Sequence, residues 1–304
     1  MRLERGLLIA IIDQLAEDDI DVVLLKGVAL AQLVYGNLAL RPMVDIDVLI
    51  RREHAEAALK SVGQLGYERM RPELSPGLEA GFENEILLHH RDRPAHYLEL
   101  HWGLFDSNFH HRQVSEEFLW SHTESVSLLG RTVSVLTPEV QLLHLCGHLV
   151  LHHHAEGLLW WQDITEVIFA HQSRLVWDRV ISYAEEAGLV LSLQRTLPVV
   201  AEQWHCPIPP AALAQIMRLR PTTAEREAVD LLTAGGRSAT QRLLADLVGL
   251  SNRQEQLRFL YHNVFPSTAY MDERYAISRP SLRPYYYVRR WLIGLAGWRG
   301  KSTD

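Results

Sequence analysis

The sequence predicts an α+β fold, with a small mixed β-sheet core and its helices first and a mainly α-helical domain after it. Three observations carry that expectation. Short apolar stretches with strand-like alternation recur before residue 103, and glycine-punctuated helix patterns lie between them. From Thr137 onward, long apolar patterns at helical spacing follow one another with few strand signals. A chain of 304 residues has room for two domains of roughly 100 to 200 residues each, and the change of texture puts the division near residue 130. The expected domains are therefore 1–130 and 131–304, the second ending in a basic, aromatic tail.

Residues 2–19 carry Leu7, Leu8, Ile11, Ile12 and Leu15 at helical spacing, so a packing helix leads into the first strand. That strand is Asp21 to Leu25. Lys26-Gly27 then turns the chain into a helix-compatible run, Val28 to Val34, closed by Gly36-Asn37. A strand, a glycine turn and a helix start together offer free backbone N–H groups and the positive end of a helix dipole to an anion. Lys26 adds a point charge and Arg41 a forked donor, both suited to phosphates.

The next strand, Val44 to Ile50, carries the chemistry. Side chains alternate with a period of two, so Asp45, Asp47 and Leu49 share one face and Val44, Ile46, Val48 and Ile50 the other. At about 3.2 to 3.4 Å of rise per residue the two carboxylates stand roughly 6 to 7 Å apart. At an effective dielectric near 20 such charges repel by about 2.5 kcal/mol, so a sequence that keeps both needs a cation or open water. Mg²⁺ takes one or two carboxylates together with waters and substrate phosphate oxygens, which points to phosphoryl or nucleotidyl transfer. His54 to Leu65 follows as a covering helix that stops at Gly66. Glu85 to His90 and Ala95 to Trp102 then form two strands joined at Arg91 to Pro94, with Tyr97, Glu99 and His101 on one face of the second. Glu99 is the candidate third carboxylate, as a metal ligand or as the base that takes the acceptor's proton. His101 beside it positions Glu99, touches the acceptor, or is structural.

Together these residues resemble the uncharacterised nucleotidyltransferase family, a branch of the DNA polymerase β-like nucleotidyltransferase superfamily. LLKGVAL, the Tyr35-Gly36 pair, Arg41, DIDVLI, LELHW and TPEVQLLHLCGHL carry the resemblance, which spans roughly residues 20 to 210. The superfamily pattern sets a glycine turn and a helix before a D-x-D strand and a third acidic residue on a later one. Lys26-Gly27 stands here where many relatives carry Gly-Ser. The resemblance implies transfer of a nucleoside monophosphate from an NTP to an acceptor hydroxyl or phosphate, with release of pyrophosphate. It implies that Asp45, Asp47 and Glu99 are catalytic and hold Mg²⁺ (or Mn²⁺), and that Lys26, Gly27 and Arg41 bind the nucleotide. The acceptor, whether small molecule, protein or RNA, is expected in a cleft between the two domains.

Thr137-Pro138-Glu139 is a helix start with proline in the first turn. The helix stacks His144, His148 and His152 at i, i+4 and i+8, near Cys146, His153 and His154. Zinc therefore has to be considered, but neither H-E-x-x-H nor C-x-x-C is present. The favoured reading is a polar helix face, with His144 and His148 as candidate acceptor contacts beside His101. Leu158 to Ala170 is the next helix and carries Asp163 among apolar neighbours; a buried carboxylate needs a partner, here an arginine or a histidine. Trp177 to Ala187, Val190 to Glu202, Ala211 to Arg218, Ala224 to Thr233 and Gln241 to Leu247 read as further helices, interrupted at Pro207 to Pro210. Between Tyr275 and Lys301 stand six basic residues and no acidic one, interleaved with Tyr285, Tyr286, Tyr287, Trp291 and Trp298. This tail is either a docked C-terminal helix or a surface for RNA or an anionic membrane.

A net charge of −7 argues against a general nucleic-acid binder. Two cysteines, Cys146 and Cys206, set no disulfide framework and fit a reducing cytosol. The apolar run Gly6 to Ile12 ends at Asp13, and no run approaches the ~18 apolar residues of a transmembrane helix. A cytoplasmic protein is expected. Two rival readings stand beside the transferase: an inactive nucleotide-binding or regulatory module, and an RNA- or membrane-associated protein acting through its tail.

Overall fold

The computed structural model describes residues 5–37, 39–74, 84–233, 243, 246–247, 249–250 and 252–299, apart from the side chains of 294–299. Its strands are β1 (Val23–Leu24), β2 (Asp45–Leu49), β3 (Tyr67–Arg69), β4 (Glu85–His90), β5 (Arg93–His101), β6 (Thr123–Leu128) and β7 (Arg131–Leu136). They form one seven-stranded sheet in the order β3-β4-β5-β2-β1-β7-β6. β2 runs parallel to β5 and antiparallel to β1, and β1 runs parallel to β7, so the sheet is mixed, as expected.

The two faces of the sheet are covered by different parts of the chain. Helices α1 (Arg5–Glu17) and α3 (Ala55–Gln64) lie on one face, where Leu8, Ile11, Leu15, Ala58 and Val62 pack with Ile46, Val48, Ile86, Leu88, Leu98 and Leu100. These are the apolar positions that strand alternation assigns to one side, and each buried aliphatic side chain is worth about 1.5–3 kcal/mol. Helix α2 (Lys26–Leu33) connects β1 to the loop before β2. On the other face Val23, Leu25, Leu49 and Leu136 join the core of the helical array. Its helices are α4 (Asn108–Gln113), α5 (Glu116–Ser121), α6 (Pro138–Leu151), α7 (Leu158–His171), α8 (Trp177–Ala187), α9 (Val190–Gln203), α10 (Pro210–Arg218) and α11 (Thr223–Thr233). α12 (Arg253–Val264), α13 (Thr268–Arg274) and α14 (Arg283–Arg299) end the described chain.

α6 is the axle of that array, since every one of its 14 residues is buried, which is the expected place for a helix that is apolar nearly all round. Gly147 lets a neighbour in close: a Cβ there would stand 2.5 Å from the Phe105 ring. The buried carboxylate of Glu139 accepts the backbone N–H of Val176 at 3.0 Å, just before α8 begins.

Two features of the sheet were not foreseen. β3 is only three residues long. The hairpin β6–β7 turns through Leu129 and Gly130, with φ of 52° and 80°, the pair of positive values that a two-residue type I′ turn needs. A division at residue 130 would part this hairpin at its turn. The last strand ends at Leu136 and the helices resume at Pro138. Most of the expected helix Gln241 to Leu247 lies outside the described residues, as do Lys301 and the side chains of Trp298 and Arg299.

Candidate active site

The register of β2 on β5 sets Asp45 opposite Tyr97 and Asp47 opposite Glu99. Because paired residues point to the same face, Glu99 stands on the aspartates' side of the sheet, as its parity predicts. β4 adds Glu85 opposite His101 on that same face. The imidazole of His101 sits among the acids: Nε2 is 3.1 Å from Asp47 Oδ1 and 3.2 Å from Glu99 Oε2, and Nδ1 is 3.1 Å from Glu85 Oε2. Lys26 Nζ reaches the same group, at 2.9 Å from Asp47 Oδ1 and 3.9 Å from Glu99 Oε2.

These contacts decide who is charged. Burial alone would lower the pKa of His101, but the carboxylates of Glu85, Asp47 and Glu99 outweigh it and push the imidazole up to about 10. Lys26 follows the same logic: burial works against its charge, and Asp47, Glu99 and Glu85 more than restore it. Asp47 resists its own burial because Lys26 and His101 hold its carboxyl well below the usual range. Asp45 has no such pairing. Burial, then the charges of Asp47 and Glu99, raise it to about 6. Glu85 is pushed up to about 7 by burial and by Asp106.

Ligand atoms of Asp47, Glu99 and His101 lie within 4.8 Å of one another, close enough to share one cation. Two carboxylates from adjacent strands with an unneutralised third, Asp45, beside them suit a hard divalent ion. The residues present therefore fit Mg²⁺ or Mn²⁺, with Asp47 and Glu99 as its holders and Asp45 next to them. Lys26 takes a left-handed φ of 37° as the first residue of α2, a strained choice for a residue with a Cβ.

Arg41 departs from expectation. Instead of offering its fork to a phosphate, it is 3% exposed and spends that fork on Asp163 of α7, with Nε at 3.0 Å from Oδ1 and Nη2 at 2.8 Å from Oδ2. Tyr35 donates its hydroxyl to the same carboxylate at 2.8 Å. The physical reason is Asp163 itself, fully buried and too costly to leave unpaired. Gly27 serves this pair, since a Cβ on it would stand 2.5 Å from Arg41 Nη1. The buried acid of α7 thus has its arginine, and the contact ties the loop before β2 to the helical array.

The three histidines assigned to the acceptor are all buried. His101 is enclosed by carboxylates. His144 packs edge-on against Phe105, and burial, followed by the nearby charges of Lys26 and His101, lowers its pKa well below the usual value. His148 is wedged among His152, His153 and Trp160. The exposed histidine of the row is His152, paired with Asp106. Asp106 also accepts from Asn84 Nδ2 at 3.4 Å, and both members of the pair feel Lys26. Glu85, Asp106, His152 and Tyr35 are the site neighbours that sequence reasoning missed. Folding the strand of Glu85 back about Arg91 to Pro94 would set it across from Leu100; the register shift between His89 and His90 moves it across from His101 instead.

Over residues 4–205 the chain matches the family described as uncharacterised nucleotidyltransferase. The chain belongs to that family. The match takes in β1, α2, the D-x-D strand, Glu99 and the helices through α9. No curated protein matches the chain. Among solved structures, it is similar to the antibiotic-resistance factor ANT(2'')-Ia, with a TM-score of 0.40 and 16% identity over 66% of this chain and 95% of that one. It is also similar to the lincomycin-bound lincosamide antibiotic adenylyltransferase LnuA, with a TM-score of 0.37 and 16% identity over 55% of this chain and 98% of that one. Nucleotidyl transfer in general is what family membership supports.

Proposed function

We propose that the chain is a metal-dependent nucleotidyltransferase that moves a nucleoside monophosphate from an NTP to an acceptor held against the helical array. The observation that carries this is the placing of Asp47 opposite Glu99, two residues beyond Asp45's own ladder partner Tyr97, with the ligand atoms of Asp47 and Glu99 close enough for one cation. A divalent ion, when bound, supplies neutralisation of the triphosphate and polarisation at the α-phosphorus. In the reaction an acceptor oxygen bonds to the α-phosphorus, the bond to the pyrophosphate oxygen breaks, and the acceptor's proton passes to a carboxylate of the cluster. Glu99 is the candidate for that proton. Lys26 is placed to move from Asp47 to the phosphates once another cation takes its place, and Gly27 acts through the passage it leaves for Arg41.

The division of labour follows from where the chemistry lies. Asp45, Asp47, Glu85, Glu99 and His101 all come from the sheet, whereas α6 and α7 bring His144, His148, Trp160 and Asp163 to the region of Lys26 and Arg41. These helices form the acceptor side, where correct orientation supplies part of the barrier reduction. The test is incubation with each α-labelled NTP and Mg²⁺ or Mn²⁺, following pyrophosphate release with pooled hydroxyl and phosphate acceptors. Metal-dependent release that Asp47→Asn abolishes supports the reading. Release that ignores the metal, or none with any NTP, contradicts it.

A further inference from the structure

We infer that the outward face of α14 docks on an anionic membrane surface. The inward face of α14 is settled by its contacts. Trp291 Nε1 donates to the Val264 carbonyl at 2.7 Å and Tyr287 Oη to that of Pro266. Arg290 lies over the Tyr270 ring, Tyr286 packs on Tyr275, and Arg283 pairs with Asp272. The outward residues are apolar apart from Arg289: Tyr285, Val288, Leu292 and Ile293 are 62%, 48%, 62% and 56% exposed. Tyr285, Val288 and Leu292 follow i, i+3, i+7, so they form one stripe along the helix. On α12, Leu257, Tyr261, Val264 and, just past its end, Phe265 repeat the pattern and are also exposed. The Phe265 ring meets the inward-facing Trp291 at 5.4 Å.

A soluble surface rarely leaves so much apolar area together without a partner. Charge identifies the partner. Arg289 is exposed on α14 next to Val288, Arg279 is exposed shortly before the helix, and no acidic residue occurs from Tyr275 through Thr303, although the whole chain carries −7. A second copy packed on this face by two-fold symmetry would set these arginines against their own counterparts with no carboxylate from the segment between them. RNA would need aromatic faces for stacking, but Tyr287 and Trp291 are engaged inward, the exposed rings of Tyr285, Tyr261 and Phe265 already meet Tyr286, one another and Trp291, and Val288, Leu292 and Ile293 offer no π surface. An anionic lipid layer satisfies both features, taking the aliphatic side chains at the acyl boundary and the arginines at the headgroups. Among the described residues no helix is long and apolar enough to cross a membrane, so the mode is attachment to the surface.

The experiment is sedimentation of the full chain with sucrose-loaded vesicles of phosphatidylcholine alone or of equal parts phosphatidylcholine and phosphatidylglycerol. The expected result is pelleting with the mixed vesicles only, reversed by high salt. Arg289→Glu should weaken binding by at least about fivefold, and the double variant Leu292→Ser, Ile293→Ser should abolish it. Both changes are at exposed positions, and unchanged thermal unfolding checks that the fold persists. Failure to pellet with mixed vesicles overturns the proposal, as does binding that survives the double variant. A concentration-dependent dimer in light scattering that the double variant abolishes, or tighter binding to an oligouridine than to vesicles, assigns the face to another partner and also overturns it.

Discussion

Lys26 Nζ stands 2.9 Å from Asp47 Oδ1, so a cation of the chain's own already sits on the carboxylate that the D-x-D strand offers most directly. A bound divalent ion has to share or displace it. Lys26→Met is therefore expected to tighten binding of Mn²⁺ alone by about tenfold, or about 1.4 kcal/mol, while weakening binding of an NTP. Manganese paramagnetic resonance titration measures the first and calorimetry the second. Unchanged Mn²⁺ affinity would show that the lysine does not compete.

Asp45 gives a pH-dependent prediction. Its carboxyl titrates near about 6 in the fold, against an ordinary value of 3.8, so the folded state holds its proton more tightly than the unfolded one. The penalty for ionising it is absent below 3.8, grows as pH rises, and is complete above about 6. Asp45→Asn is expected to leave stability unchanged at the acid end and to raise it by roughly 1–2 kcal/mol above the folded pKa, after allowance for partial exposure. Urea unfolding at both ends checks the sign, and a variant less stable than wild type at neutral pH refutes the assignment.

His101 runs the other way. Its pKa is raised from 6.5 to about 10, so the stability it contributes is fully present below 6.5 and is lost as pH climbs through about 10. His101→Gln should cost about 3 kcal/mol near neutrality, because it strips three carboxylates of a shared cation. The gap between variant and wild type should narrow toward the alkaline end. A constant gap across that range would mean that packing, not charge, is the reason for the histidine.

Arg41 and Asp163 form a pair whose halves are 3% and 0% exposed. Removing either partner leaves a buried charge, so Asp163→Leu and Arg41→Met are each expected to cost about 3–5 kcal/mol. The double change Arg41→Met, Asp163→Leu should recover most of that loss. A denaturant double-mutant cycle decides it, and single variants within about 0.5 kcal/mol of wild type would show the pair to be unimportant.

The parts of this arrangement visible in the sequence are those set by local periodicity. Alternation alone put Asp45 and Asp47 on one face and told which way Glu99 points within its strand. The need of Asp163 for a partner was likewise readable from its apolar neighbours. Which arginine supplies it was not, since Arg41 lies 122 positions away and its fork suits a phosphate equally well. Lys26 hid its role because a lysine gives no hint of a left-handed backbone. The β6–β7 hairpin was missed for a related reason: Leu129-Gly130 lacks the asparagine or aspartate that usually marks such a turn, and the last residues before it alternate weakly in burial. The histidine row on α6 looked like a polar face, yet the helix lies at the centre of the array, where His144 is held neutral by burial.

In the proposed reaction Asp47 and Glu99 bind a nucleotide through a shared divalent ion. Titration calorimetry of each NTP, with and without Mn²⁺, on wild type and on Glu99→Gln tests it most directly. The expected result is binding of at least one NTP that requires Mn²⁺ and weakens at least about tenfold in Glu99→Gln, the loss of roughly one charge-assisted contact. Equal affinity with and without Mn²⁺, or equal affinity in wild type and Glu99→Gln, would contradict it.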